Sequence, residues 1–455
     1  MKLEHINKVY FLGIGGIGMS ALARYFLSKS MLVSGYDKTE SPLTKALEKE
    51  GASIIFEDDS SLIPKEFQDS RSSLFIYTPA IPQDNQIRQH LLSIGAKLYK
   101  RSEVLGLLSQ QYQCIGIAGT HGKTTVSSMS AYILYQSSLG CQAFLGGIMI
   151  HNNSNLLSHP KSQWMVVEAD EYDRSFLHLH PQIALITAMD ADHLDIYGDH
   201  EKMLDSFRKY ASQIKENGSL IIHHDLKTHF SEESKHKTYA LKNRAADYYA
   251  ENIELKHGHH HFDLITPKHC IKSIKLYMPG RINLENAIAA SATALEAGVS
   301  AENIKKALAS FQGIKRRMEL IFQSPSTLFY DDYAHHPEEI KAALSSLKEL
   351  YPHKELTVIF QPHLYSRTQD FAFEFGESLS LADDIMLLDI YPAREKPIKG
   401  VSSQLILDAI QGPHKRLIEK NQLIKEVEAL QPELLVCLGA GDIDRLVEPL
   451  KNILS

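Results

Sequence analysis

Cysteine is scarce: Cys114, Cys141, Cys270 and Cys437 stand far apart, and neither a CxxC pair nor a disulfide framework can be drawn from them. They read as isolated buried thiols. No apolar run reaches the roughly 18 residues that a bilayer-spanning helix needs, and the opening MKLEHINKVYFLGIGG carries no basic n-region and no small-residue cleavage site. The expectation is a cytoplasmic protein with no membrane partner. Positive charge is not in excess either, since 48 Lys and Arg against 55 Asp and Glu leave a formal charge of −7. A nucleic-acid backbone demands a basic stripe, so nucleic acid is not expected as a partner, and anionic ligands would need local cationic pockets. Tracts rich in Pro, Gly and Ser are missing too, so the 455 residues should all be packed. At roughly 100 to 200 residues per domain they suggest about three domains.

What is present is a repeated alternation of strand-like and helix-like segments. KVYFLGIGG, the helical stretch Met19 to Leu27 and MLVSGYD make a βαβ unit, which repeats through KALEKEGASIIF and SLFIYTPAI. Such alternation implies an α/β fold with parallel sheets. The pattern restarts near Gln110 with QCIGIAGTHGKTT and again after RRMELIF with TLFYDDYAHH, ELTVIFQPH, IMLLDIYPA and ELLVCLGAGDI. The expected domains are a Rossmann-like one over residues 1–107, a central P-loop type α/β domain over 108–316, and a second Rossmann-like one over 317–455. Inside the central domain, ENIELKHGHHHFDLI reads as a β-hairpin turning at Gly258. His257, His259, His260 and His261 crowd that turn, but neighbouring strand residues face opposite ways and cannot all meet one ion, so a solvated turn is expected.

Two glycine loops carry the first chemistry. In GIGGIG, Gly13, Gly15 and Gly18 follow a strand and open a helix, and Asp37 closes the next strand nineteen residues after Gly18. Glycines there let the backbone approach a diphosphate at a helix N-terminus. The fingerprint does not separate NAD from another nucleotide diphosphate. AGTHGKTT also joins a strand to a helix, and puts Lys123 and Thr124 where a P-loop needs a lysine for the β/γ-phosphates and a hydroxyl for Mg²⁺. It departs from the strict GxxxxGK[ST] spacing, because Ile117 occupies the first glycine position, so Gly119 must shape the loop. Two further strand ends bring acids and imidazole, Glu168, Asp170 and Glu171 in one and Asp190, Asp192 and His193 in the other. Ligands of parallel sheets bind at the carboxyl ends of strands, so both ends could face the P-loop. Tyr333, His335 and His336 follow a later strand, and His363 and Arg367 follow another.

Taken in order, GTHGKTT, EADEYD, DADHLD, NLENA, DDYAHHP and FQPHLYSR resemble the motifs of the Mur ligase family over essentially the whole chain. The resemblance implies amide formation through an acyl phosphate, with ATP and Mg²⁺. GIGGIGMSALA and DDYAHHP further resemble the members that act on UDP-N-acetylmuramate and L-alanine, which are therefore the expected substrates, in peptidoglycan synthesis. A relative that attaches a whole peptide to the same sugar is the nearest alternative. By the same resemblance Gly15, Gly16 and Gly18 approach the UDP diphosphate, Asp37 lies near the uridine end, and Arg101 helps hold the nucleotide sugar. Gly119, Thr120, His121, Gly122, Lys123, Thr124 and Thr125 surround the ATP phosphates, with Asn283, Asn286 and Arg316 as further ATP contacts. Arg317 completes the basic pair. Thr124, Glu168 and His193 arrange magnesium; Tyr333, His335 and Arg367 present the amino acid; and Lys123, His193 and His335 form the catalytic set. Some family members carry a carboxylated lysine about fifteen residues after the metal histidine; that interval falls here on Arg208, beside Lys209, and no such residue is assigned.

Overall fold

The apolar run Lys8–Leu12 becomes the first strand, β1, followed by β2 Leu32–Tyr36, β3 Ser53–Ile55, β4 Ser73–Tyr77 and β5 Leu98–Lys100. They form one sheet in the order β3-β2-β1-β4-β5, with every pairing parallel. Val9 and Phe11 pack into one apolar cluster while Tyr10 and Leu12 pack into another, so both faces of β1 are covered. This is why the segment reads as continuously hydrophobic rather than alternating. The structure, a computed structural model, describes residues 6–455 apart from 71, 192–193, 232–234, 394 and 413 and the side chains at 194 and 195. His193, expected at the metal and in catalysis, and Asp192 therefore lie outside the described residues.

A second sheet contains β6 Gln113–Ala118, β7 Gln142–Met149, β8 Ser154–Ser158, β9 Trp164–Glu168, β10 Ile183–Ile186, β11 Ser219–His223 and β12 His236–Tyr239. Its order is β12-β11-β10-β6-β9-β7-β8, and only the edge strand β8 runs antiparallel to its neighbour. Strands β13 Tyr249–Lys256, β14 His259–Ile265 and β15 Cys270–Leu276 make a small sheet in sequence order. His257 and Gly258 at the β13–β14 turn have φ of 52° and 76°, the two left-handed residues a tight hairpin turn requires. The turn is not wholly solvated: strand alternation turns His260 inward, where it is 1% exposed and burial lowers its pKa.

The last sheet holds β16 Glu319–Gln323, β17 Leu328–Asp332, β18 Leu356–Phe360, β19 Asp384–Leu387, β20 His414–Leu417 and β21 Leu434–Leu438, in the order β16-β17-β21-β18-β19-β20. Again one edge strand, β16, is antiparallel. Tyr330, Val358, Phe360 and Val436 face one apolar cluster, and Phe329, Ile359, Leu435 and Cys437 face the other. Among the described residues, no helix is long and apolar enough to cross a membrane.

The chain divides into two compact units, one of residues 1–253, 262–275 and 286–311, the other of 254–261, 276–285 and 312–455. Most of the stretches expected as separate first and central domains thus lie in one unit. A buried polar knot joins them. Asn155 of β8, 0% exposed, accepts from Arg24 Nη1 at 2.5 Å and donates to Ile17 O at 2.6 Å and Ser20 Oγ at 3.0 Å. Arg24 is also held by Glu50 at 2.9 Å, and Tyr25 packs on Phe144 of β7 with ring centroids 5.3 Å apart. The helix that leaves the first glycine loop is thereby fixed against the strands β7 and β8.

Candidate active site

The P-loop is built where β6 ends. Gly119 has φ of 132°, and a Cβ there would stand 2.0 Å from Thr187 Oγ1 and 2.8 Å from Ala188 N, so only glycine fits. Gly122, at φ of 78°, is the left-handed residue before the helix Lys123–Tyr135. The neighbouring strand end holds the loop from outside: Thr120 N donates to Ala188 O at 3.1 Å, and Asp190 N to Thr120 Oγ1 at 3.2 Å. His121 lies 3.7 Å from Asp190, and Thr125 is buried in the first turn of the helix. These glycines turn the chain directly into the N-terminus of the helix, a geometry that suits a polyphosphate.

Lys123 Nζ reaches Gly119 O at 2.6 Å, Thr120 O at 3.4 Å and Glu171 Oε1 at 2.8 Å. Burial works against its charge, but the carboxylates of Glu171, Asp170 and Glu168 outweigh burial and raise its pKa above the ordinary value. Thr124 Oγ1 donates to Glu168 Oε1 at 3.0 Å, while Glu168 Oε2 accepts from Gly146 N at 3.1 Å. The parallel register that sets Ile117 opposite Glu168 produces this pairing. A hydroxyl and a carboxylate oxygen side by side at the head of the loop are hard donors of the type Mg²⁺ takes, and these residues fit that ion. Arg208 is engaged elsewhere, donating to Glu201 and Asp205 at 2.7 Å each.

The first glycine loop faces the same region. Gly13 turns at φ of 88°, and Gly16 N bonds back to Gly13 O at 3.3 Å. A Cβ at Gly18 would stand 2.9 Å from Arg101 Nη1, and Arg101 Nη2 lies 3.7 Å from Asp170 Oδ2. A cavity of about 280 Å³ opens between them, with Gly16, Gly18 and Arg101 on one side and Gly146, Glu168 and Asp170 on the other. Asp37, expected near the uridine end, accepts hydrogen bonds from the backbone. Its Oδ2 accepts from Gly15 N at 2.8 Å and its Oδ1 from Thr39 N at 3.1 Å, so the carboxylate holds the glycine loop in shape.

Asn283 and Asn286 lie three residues apart on the helix Arg281–Glu296, hence on one face. Asn286 abuts the P-loop, its Oδ1 3.1 Å from where a Cβ of Gly122 would be, whereas Asn283 Nδ2 donates to Pro279 O at 2.7 Å.

The second unit gathers its own cluster. Both guanidinium groups of Arg316 and Arg317 sit over the Tyr333 ring, at 5.0 and 5.2 Å. Tyr333 meets His335 at 5.3 Å between ring centroids, and His335 meets His363 at 6.0 Å. Burial above all, aided by the charge of Arg367, pushes the His335 and His363 pKa values down to about 4, so both rings are neutral near pH 7. His335 is then a hydrogen-bonding group with little capacity as a base. His336 instead caps the helix Pro337–Leu350. Arg316, expected at ATP, is committed within this unit: Nη2 donates to Gly439 O at 2.5 Å, Nε lies 3.5 Å from Asp331 and Nη1 3.6 Å from Asp444. Leu364, directly before the helix that carries Arg367, takes φ of 71°, an uncommon left-handed backbone for leucine.

One unit thus holds a glycine-shaped turn at Lys123 and, lined by the first glycine loop, Arg101 and the acids that end β9, a cavity, while the other α/β unit carries an arginine and histidine cluster, an arrangement that suits a nucleotide-dependent enzyme. Comparison with known proteins agrees. Three family models match in succession: Mur ligase family, catalytic domain, at residues 8–113; Mur ligase middle domain at 117–294; and Mur ligase, glutamate ligase domain, at 316–442. The chain belongs to the Mur ligase family. It is 46% identical to the UDP-N-acetylmuramate–L-alanine ligase of Phocaeicola vulgatus, with all of both chains covered, and 46% identical to that of Flavobacterium psychrophilum, again over all of both chains. Among solved structures, UDP-N-acetylmuramate–alanine ligase from Thermotoga maritima aligns with a TM-score of 0.81 at 26% identity, covering 98% of each chain. A murein peptide ligase from Psychrobacter arcticus shares the fold, with a TM-score of 0.70 at 23% identity over 98% of this chain and 99% of its own.

Proposed function

We propose that this chain joins L-alanine to UDP-N-acetylmuramate at the cost of ATP, giving ADP and phosphate, as a cytoplasmic step of peptidoglycan precursor synthesis. The observation that carries this reading is the cavity in which the glycine loop and Arg101 face Glu168, the acid that Thr124 of the P-loop bonds. A nucleotide sugar held by Gly16, Gly18 and Arg101 would bring its carboxylate towards the P-loop. One carboxylate oxygen attacks the γ-phosphorus of ATP, ADP departs, and an acyl phosphate results. The neutral amine of L-alanine then attacks the acyl carbon, phosphate leaves, and the amine gives up a proton. Lys123 lies where it can stabilise charge on the transferred phosphoryl group. Thr124 and Glu168 would hold Mg²⁺, which supplies charge neutralisation on the phosphate oxygens. Residues 1–107 form the UDP-sugar part, 108–316 the ATP part and 317–455 the amino-acid part, in which Tyr333, His335 and Arg367 receive L-alanine.

The glycine loop serves UDP-sugar in this reading, not NAD. A ligand that binds only the folded chain stabilises it, by about 2.7 kcal/mol when present at about a hundred times its Kd. UDP-N-acetylmuramate is therefore expected to raise the melting temperature and NAD to leave it unchanged. Stabilisation by NAD alone would contradict the assignment.

A further inference from the structure

Glu171 has no role in the steps above, yet it is the most deeply buried of the described acids near the P-loop, 1% exposed. One of its oxygens bonds Lys123 at 2.8 Å, and the other, Oε2, has no hydrogen-bond partner among the described residues. Lys123 has three N–H bonds, and its three neighbours here are Glu171 and the two carbonyls of Gly119 and Thr120. The ammonium is thus folded back over its own loop, and among the described residues Glu171 is the one side chain bonded to it.

The backbone around Glu171 is pinned on both sides. Glu168 is tied to Thr124 and to Gly146 N, Asp170 Oδ1 accepts from Tyr172 N at 3.1 Å, and Tyr197 donates to Glu171 O at 2.6 Å. Asp173 bonds Lys100 at 3.0 Å, and Arg174 lies over the Tyr197 ring at 5.4 Å. Asp173 and Arg174 hold φ of 51° and 54°, two successive non-glycine residues in a left-handed conformation that the surrounding contacts must maintain. With its main chain fixed in this way, the Glu171 carboxylate has little freedom to follow the lysine. If Nζ moved away to a phosphate, a buried carboxylate would be left uncompensated, which is costly. If Nζ stays within reach of both, the carboxylate fixes where the ammonium stands while opposing the incoming negative charge.

Resting on the P-loop reading of Lys123, we propose that Glu171 is a positioning residue: it holds Lys123 Nζ in line for phosphoryl transfer and, by opposing the phosphates, weakens ATP binding. The two effects have opposite signs, which a merely structural role would not produce. Glu171→Gln keeps the shape and removes the charge. It is expected to bind MgATP at least about threefold more tightly by calorimetry in the absence of the sugar substrate, while kcat falls about fivefold, a smaller loss than the roughly hundredfold or more of removing a group that itself meets the developing charge. Glu171→Asp retains the charge with a shorter reach, so ATP affinity should return to that of the native chain while kcat stays low. ATP affinity that is unchanged or weaker in Glu171→Gln, or an unaltered kcat, overturns the proposal. Should Glu171→Gln fail to fold in a melting experiment, Glu171→Asp decides alone, and native kcat in that variant counts against it. Lys123→Ala separates the two readings. If that variant binds and turns over ATP as the native chain does, the P-loop assignment falls; if only the Glu171 variants behave as native, this inference falls by itself.

Discussion

Replacing Lys123 by alanine lowers turnover by at least about a hundredfold while the chain still folds. That is about 2.7 kcal/mol of transition-state stabilisation, the scale of removing one preorganised donor from a developing charge. The expectation follows from the position of Nζ, within 2.6 Å of the Gly119 carbonyl inside the loop that would cradle the γ-phosphate. Folding should survive because the glycines, not the lysine, set the loop: Gly119 and Gly122 keep their left-handed turns, and Thr120 remains bonded to Ala188. Single-turnover phosphate release and a melting curve on the same preparation check both halves. Near-native turnover in a folded variant would leave AGTHGKTT as architecture only.

Arg367→Lys raises the apparent KM for L-alanine at least about tenfold, equivalent to roughly 1.4 kcal/mol, with ATP and UDP-sugar affinities little changed. A guanidinium offers a carboxylate two parallel hydrogen bonds, which an ammonium cannot reproduce. At the position three residues earlier this chain has Leu364, whose apolar side chain cannot share the task. Arg367 is also a cation that acts on both neutral rings, His335 and His363, so its charge is felt in that cluster. Steady-state kinetics with each substrate varied in turn checks this. An unchanged KM for L-alanine, or equal damage to ATP binding, would remove Arg367 from the amino-acid site.

Much of this arrangement was legible because it is encoded locally. Strand, glycines, lysine and helix in AGTHGKTT specify a loop geometry within a few residues, and the acids of EADEYD end a strand whose partner is fixed by parallel pairing. What escaped the sequence depends on contacts between distant residues. Asn155 meets Arg24 across 131 residues, and nothing in NNSNLL marks that asparagine as the knot that holds two domains in one unit. Glu171 meets Lys123 across 48 residues, and as one acid among several it carried no distinguishing pattern. Asp37 stood at the expected strand end, but its carboxylate turns back to Gly15 N, a choice made by side-chain geometry rather than spacing. Arg316 likewise turns towards Gly439, a residue on the far side of β17 and β21 in sequence. The edge strand β20, HKRL, went unread because its residues are mostly exposed and polar and show no apolar alternation.

The most direct test measures phosphate release from MgATP with UDP-N-acetylmuramate and, separately, L-alanine, glycine, L-serine or a short peptide. The account predicts release that requires both the nucleotide sugar and an amino acid and is fastest with L-alanine. Release that is independent of UDP-N-acetylmuramate, absent with every amino acid, or fastest with the peptide would contradict it.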